Sequence, residues 1–185
     1  MPQRITGLPG PAQQALRALS RQARLAATDR ELGFLLVNDS LALAPYRQAA
    51  LWLADEGVWS LSGVVQVDAN VPYAQWLDAV AHHLQRQAGD GPRPFIASDL
   101  PADLTQQWQQ WWPAHAVWLG SEAANVQGAG ILVRDTPWSA EELAVLQEWC
   151  DVWWHAFAAL HRPRISRLRG WRDRISQTLA VQSDR

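Results

Sequence analysis

From Pro11 onward apolar side chains recur every three or four residues: Leu16, Leu19, Ala23 and Ala26 form a narrow stripe, with Arg17, Arg21 and Arg24 standing off it. That spacing predicts an amphipathic helix, and a proline in its first turn is tolerated because the N–H it lacks would have no helical partner there. Gly33 interrupts the pattern. Phe34-Leu35-Leu36-Val37 is then a short apolar run, and Asn38-Asp39-Ser40 signals a turn, since Asn and Asp tolerate left-handed backbone and bond their own chain. A second apolar segment, 41–54, leads through Asp55-Glu56-Gly57 into 58–68. There Trp59, Leu61, Val65 and Val67 alternate with Ser60, Ser62, Gln66 and Asp68. The alternation and the turn together predict an antiparallel hairpin of 49–54 with 58–68.

After Asn70-Val71-Pro72, the positions of Trp76, Leu77, Val80 and Leu84 predict a helix over 73–87, ended by Gly89-Asp90-Gly91-Pro92. Phe95-Ile96-Ala97 reads as a short buried strand. Asp99 reads as the cap of a helix carrying Leu104, Trp108, Trp111 and Trp112, stopped by Pro113. Strands are predicted at 115–119 and 128–134, joined by a polar link. Ser139-Ala140-Glu141-Glu142 is a capping box, a hydroxyl with a carboxylate three residues on. It opens a long helix whose apolar face is Leu143, Leu146, Trp149, Cys150, Trp153, Phe157 and Leu160, ended or bent by Pro163. Beyond it Ile165, Leu168, Ile175 and Leu179 fall at heptad a and d positions, with Arg172 at the intervening a. The chain therefore divides into an irregular leader (1–10), a body (11–160) and a basic helical tail (161–185). Helices mixed with antiparallel strands give the fold class α+β, a central antiparallel sheet flanked by helices with a C-terminal helical extension.

Charge sharpens that division. The 185 residues carry a net charge of −2, and every one of the 16 basic residues is Arg. The near-neutral sum is a cancellation: residues 1–160 hold 9 Arg against 16 acids, and 161–185 hold 7 Arg against 2 acids. An acidic body repels a nucleic-acid duplex, so nucleic acid is not an expected partner. Arg162, Arg164, Arg167, Arg169, Arg172 and Arg174 form either a solvated helix face or a surface for anionic lipid headgroups. No signal-peptide pattern opens the chain, and no run reaches the roughly 18 apolar residues of a membrane span. A cytoplasmic chain is expected.

Candidate chemistry is sparse. The single cysteine, Cys150, excludes an internal disulfide framework, a multi-cysteine zinc site and a dithiol redox cycle. Asp78 with His82, and Asp151 with His155, are i,i+4 pairs, and two ligands do not make a metal site. Ser60 and Ser62 lack a Gly-x-Ser-x-Gly elbow, and Gly128-Ala129-Gly130 lacks the third glycine and the following helix of a phosphate loop. No catalytic residue, metal or cofactor is expected, and the chain does not read as an enzyme. The 12 Trp residues against 3 Phe and 2 Tyr fill a core or line a pocket or interface. Trp111-Trp112 and Trp153-Trp154 are tandem pairs, and adjacent helical residues point about 100° apart. Trp112 and Trp154 are the expected exposed members, with Trp118 a further binding candidate. Tyr46-Arg47-Gln48 is the most function-like polar cluster. On a strand, Arg47 would oppose its neighbours, either in an ion pair with an acid such as Asp68 or as an anion acceptor in a cavity.

The run Gly128-Ala129-Gly130-Ile131-Leu132-Val133-Arg134-Asp135-Thr136-Pro137-Trp138-Ser139-Ala140-Glu141-Glu142-Leu143-Ala144-Val145-Leu146 resembles the closing strand and helix of a GAF domain. In that family a glycine-containing apolar strand and a short linker lead into F/W-[ST]-x-E-E-x-x-x-L. Ala49-Ala50-Leu51-Trp52-Leu53-Ala54-Asp55-Glu56-Gly57 resembles its opening strand and turn, so the resemblance spans roughly 12–160. The Asn-Lys-x-Phe-Asp-Glu signature linked with cyclic-nucleotide binding has no counterpart in a chain without Lys. Covalent bilin attachment in the family uses a cysteine well before the final helix, where Cys150 does not lie. Phe34-Leu35-Leu36-Val37-Asn38-Asp39-Ser40 and Pro45-Tyr46-Arg47-Gln48-Ala49-Ala50-Leu51-Trp52 are similar to GAF-like N-terminal cytoplasmic regions of bacterial membrane-fusion (efflux or secretion adaptor) proteins. These resemblances imply a non-catalytic sensory or docking module at the inner face of a membrane, associated with a secretion or efflux system. They also imply a homodimer through the terminal helices. Candidate ligand or partner contacts are Asn38, Tyr46, Arg47, Gln48, Trp112, Trp118 and Trp154. The alternative is a small-molecule-binding regulatory domain in signalling or transcription control, with no membrane link.

Overall fold

The computed structural model describes residues 10–87, 91–121, 123 and 125–162. The leader, the heptad positions 165–179 and the basic residues Arg164, Arg167, Arg169, Arg172 and Arg174 lie outside the described residues. Among the described residues five α-helices, α1 (Pro11–Leu25), α2 (Asp29–Val37), α3 (Pro72–Gln85), α4 (Ala102–Trp111) and α5 (Ala140–Leu160), surround five strands. The strands are β1 (Gln48–Leu53), β2 (Gly57–Leu61), β3 (Arg93–Phe95), β4 (His115–Gly120) and β5 (Gly128–Arg134). They form one sheet in the order β2-β1-β5-β4-β3, and every neighbouring pair is antiparallel. The α+β class with a long C-terminal helix is as expected.

Helices cover both faces of the sheet. Ala49, Leu51 and Leu53 of β1, Val117 and Leu119 of β4 and Leu132 of β5 pack against α1, α2 and α5. The alternate residues, Ala50 and Trp52, Ala116 and Trp118, and Ala129, Ile131 and Val133, pack against α3 and α4. A strand buried on both faces reads as a continuous apolar run, and all seven residues of β5 are buried. At the sheet edge, β2 is half-buried apart from Val58.

Several expectations need correction. Phe34–Val37 is the end of a helix, α2, rather than an isolated run. Thr28 caps it, its hydroxyl accepting from Glu31 N at 3.2 Å, while the Glu31 carboxylate accepts from Ala27 N at 2.9 Å. Gly33 does not break this helix but lets Trp59 of β2 lie on it: a Cβ there would sit 2.5 Å from Trp59 Cζ3. The second hairpin strand ends at Leu61, not Asp68, because Ser62 N closes on Ala49 O and Gly63 N donates to Asn38 Oδ1, at 2.9 and 3.1 Å. The chain turns away there and leaves Val65 fully exposed. The short strand is 93–95, and Asp99 caps the 3-10 turn Ala97–Asp99 by accepting from Ile96 N at 2.9 Å. Finally, α4 ends at Trp111, so Trp112 is extended (φ −127°, ψ 150°) instead of continuing the helix.

Gly33 gives a test of sign. Gly→Ala in a helix interior ordinarily stabilises by up to about 1 kcal/mol. Gly33→Ala is expected to destabilise by about 1–3 kcal/mol, because the methyl must displace the Trp59 ring. Urea denaturation checks this, and a gain in stability would refute the packing described.

Candidate functional site

Asn38, Tyr46, Arg47 and Gln48 lie around the junction of α2, β1 and β5. Asn38 joins the end of α2 to the loop after β2, its amide donating to Phe34 O and its carbonyl accepting from Gly63 N. The Tyr46 hydroxyl donates to Val37 O at 2.9 Å, and burial pushes its pKa above the ordinary tyrosine value. Gln48 Oε1 accepts from the Tyr73 hydroxyl at 3.4 Å. Arg47 precedes β1 and is not set into a half-buried sheet. Its guanidinium lies 3.2 Å from both Asp135 oxygens, with the two side chains 65% and 62% exposed. The partner is therefore Asp135, not Asp68, and the pair is in water. Asn38 and Tyr46 tie backbone segments together, whereas Arg47 and Gln48 meet other side chains.

A different arginine occupies the interior. Arg134, at the end of β5, is 9% exposed. Its Nε donates to Thr136 O at 2.9 Å and its Nη1 to Pro45 O at 3.2 Å. Nη1 and Nη2 grip the two Glu142 oxygens at 2.7 and 2.5 Å, and Nη2 also donates to Pro137 O. The guanidinium lies 3.9 Å above the Trp138 ring centroid. Bidentate bonding from Arg134, helped by the Ser139 cap, pulls the Glu142 carboxyl down to about 2. The sequence signal was an Arg closing an otherwise apolar strand just ahead of a capping-box Glu.

Tryptophans fill the layer between the sheet and α3 and α4. Trp76 and Trp112 meet edge to face at 4.7 Å, Trp108 and Trp112 at 5.2 Å, and Phe95 and Trp108 at 5.8 Å. Four indole N–H groups there have acceptors: Trp52 donates to Asp78 Oδ1, Trp76 to Leu104 O, Trp108 to Pro113 O and Trp112 to the Tyr73 hydroxyl, whereas the buried Trp111 Nε1 meets none. Trp112 and Trp154 are buried, contrary to expectation, and so is Trp118. Trp112 leaves the helix and folds inward, whereas Trp111 is partly exposed. On α5 both members of the tandem pair are covered: Trp153 donates to Leu32 O of α2 and Trp154 to Leu119 O of β4. Asp78, 3.7 Å from His82, already accepts the Trp52 indole, and Asp151 accepts from Gln147 Nε2 at 2.7 Å. Among the described residues no group of three or more His, Cys, Asp or Glu is placed to hold a metal ion.

Two hollows flank α5, with Asp151 and His155 on the ridge between them. One, of about 240 Å³, is walled by Leu119, Gly120, Cys150 and Trp154, with Gln147 at its rim. The other, of about 520 Å³, is an open trough between α1 and α5 lined by Ala23, Ala26, Val152, Ala156, Ala159 and Leu160. Of the aromatic candidates, Trp154 lines the smaller hollow although it is buried.

No protein-family model matches the chain, and no curated protein matches it in sequence. Solved structures do match. A GAF domain from Pseudomonas syringae pv. tomato is 12% identical over 92% of each chain, with a TM-score of 0.50. The phycocyanobilin-bound GAF domain from a cyanobacterial phytochrome is 12% identical over 83% of this chain and 97% of that one, with a TM-score of 0.59. CepR2 from Burkholderia cenocepacia, an N-acylhomoserine lactone dependent LuxR family transcription factor, is 19% identical over 82% and 96%, with a TM-score of 0.51.

The fold is GAF-like. The GAF resemblance of the closing strand and helix is matched in three dimensions, where β5, the Ser139 cap and α5 follow one another as expected. The resemblance to membrane-fusion proteins has no counterpart among these neighbours. No helix among the described residues is long and apolar enough to cross a membrane.

Two substitutions separate the arginines. Arg47→Gln is expected to change stability by no more than about 0.5 kcal/mol, as exposed pairs do. Glu142→Gln is expected to cost about 2 kcal/mol at neutral pH, since it weakens a charged hydrogen-bonded grip on a buried cation. Because folding lowers the Glu142 pKa from 4.5 to about 2, its contribution is complete above pH 4.5 and is lost as pH falls toward 2. Thermal denaturation across that window should show the wild type losing its advantage over Glu142→Gln.

Proposed function

We propose that the chain is a non-catalytic regulatory module that recognises a small ligand or partner at the surface of α5 and works as a homodimer through α1 and α5. One observation carries the reading: the layer behind the sheet is filled by its own tryptophans, whereas both hollows lie along α5. The smaller hollow is just below the roughly 300–1,000 Å³ of ordinary ligand pockets, so its ligand is a small one. The trough suits a second copy on grounds of charge. Helix α1 carries Arg17, Arg21 and Arg24 and no acid; α5 carries Glu141, Glu142, Glu148 and Asp151 and no Arg. A two-fold axis that sets α1 against the partner's α5 brings opposite charges together.

The finer proposal is a module at the cytoplasmic face of a membrane, serving a secretion or efflux system. The Arg-rich segment from Arg162 onward and the sequence resemblance support it. A regulatory domain in signalling or transcription control, without a membrane link, is supported by the phytochrome and transcription-factor neighbours.

Light scattering at high micromolar concentration should report a dimer. Ala156→Arg, in the trough, should give a monomer with an unchanged melting temperature; a wild-type monomer under the same conditions would overturn the dimer. Co-sedimentation with anionic but not neutral vesicles, lost when Arg162, Arg164, Arg167, Arg169, Arg172 and Arg174 become Gln, supports the membrane reading. Absence of co-sedimentation favours the regulatory one.

A further inference from the structure

His161 ends α5. Its N–H donates to Phe157 O at 2.7 Å and its backbone turns extended, so the chain leaves the helix at this residue. Its imidazole is buried, with a side chain only 4% exposed. Nδ1 lies 2.9 Å from Asp29 Oδ2, and Nε2 lies 2.8 Å from Glu56 Oε1. The ring stacks on Phe157 at 4.8 Å and meets the edge of Trp59 at 6.0 Å. Asp29 belongs to the first turn of α2 and Glu56 to the turn between β1 and β2. Segments 105 and 132 residues away in sequence thus converge on one imidazole.

The two carboxylates define which form of the ring fits. An imidazolium has two N–H donors, and here each meets a carboxylate oxygen. A neutral imidazole has one N–H and one lone pair, so one carboxylate oxygen would face a lone pair at under 3 Å. Loss of the proton also removes the cation that keeps Asp29 and Glu56 from being two like charges across a buried ring. The titratable and charged groups facing the ring are Asp29 from α2 and Glu56 from the turn. Trp59 from β2 and Phe157 from α5 contribute apolar faces, and the Arg162 guanidinium donates to the His161 carbonyl at 3.1 Å.

We propose that His161 is a proton-operated latch on the exit of α5. With its proton, the ring ties the helix end to α2 and to the β1–β2 turn. Without it, one tie is lost and the end of α5 is released. The following residue, Arg162, opens the Arg-rich stretch of the sequence, so the latch sits at the last point of the body before it. This goes beyond the proposed function, because it requires neither a ligand in the hollow nor a second copy in the trough.

The test uses the full chain, with its histidines labelled with nitrogen-15, between about pH 5.5 and about pH 8.5, the interval over which histidine serves as a switch. Both His161 ring nitrogens should be protonated at the acid end. Amide exchange over 157–162, corrected for intrinsic rate, should be about tenfold slower than in His161→Gln there. That protection should vanish as the ring loses its proton. Glu56→Gln, whose amide can accept from an N–H or donate to a lone pair, should retain the fold and lose most of the pH dependence. A ring with one unprotonated nitrogen at every pH would overturn the latch, as would protection that does not vary with pH. Should His161→Gln fail to fold, Glu56→Gln decides alone: a pH dependence equal to the wild type refutes the proposal.

Discussion

A buried guanidinium must be satisfied or it cannot be buried, and the architecture turns on how Arg134 is satisfied. The residue closes β5, the central strand, where the chain must cross from the sheet to the helix that covers it. Its donors meet Thr136 O, Pro137 O, Pro45 O and both Glu142 oxygens. The acceptors on its own linker set the course of residues 135–139. The carboxylate sets where α5 begins, and the Pro45 carbonyl sets the approach of the chain into β1. Helix α5 therefore lies over the sheet at a defined angle, with Trp149, Trp153 and Phe157 fully buried. Ser139 and Glu142 exchange capping bonds, so one glutamate serves the helix cap and the ion pair together.

On the α5 side, Trp149 donates to the Ser40 hydroxyl and Trp153 to Leu32 O, each at 2.7 Å. Indoles bring large apolar area and one donor that needs an acceptor, so they both fill space and fix register between helices. On the α3 and α4 side the same logic closes the interior, because Asp78, Leu104 O, Pro113 O and the Tyr73 hydroxyl each accept from an indole. Most of the polar atoms of that layer are thus occupied by its own tryptophans, the buried Trp111 Nε1 excepted. The unfilled space lies on the other side, along α5.

Periodicity exposed the parts of this fold that have one wet face. The Leu16–Ala26 stripe, the Trp76–Leu84 stripe and the Ser139 box could all be read directly, and the hairpin of β1 with β2 from its turn, though not where β2 ends. What failed depended on a contact distant in sequence. Gly33 looked like a helix breaker because the ring that requires it, Trp59, lies 26 residues away in the chain. Trp112 and Trp154 looked exposed because helical angles say nothing of a helix ending at Trp111, or of a neighbour such as β4 lying beyond the helix. Arg47 looked functional because an arginine assigned to a strand face needs a partner, yet the strand starts one residue later. The Arg134–Glu142 pair could have been inferred, since both residues lie in the segment that carried the GAF resemblance. His161 could not, because its two carboxylates lie in α2 and in the first hairpin.

The two ends of α5 are held by different chemistry. At the N-terminal end the cation is a guanidinium, which keeps its proton at any pH at which the protein folds. Its partner carboxyl is held well below the usual range. That attachment does not respond to physiological changes in acidity. At the C-terminal end the attachment is an imidazole set between two carboxylates, and it is on this contrast that the proposed latch rests. A helix pinned permanently at one end and conditionally at the other can move only at its free end. In this fold that end carries both Ala159 and Leu160 of the trough and the start of the arginine-rich segment. Under the proposed latch, release of that end would therefore reach the trough, while Arg134 and Glu142 hold the N-terminal end of α5 in place.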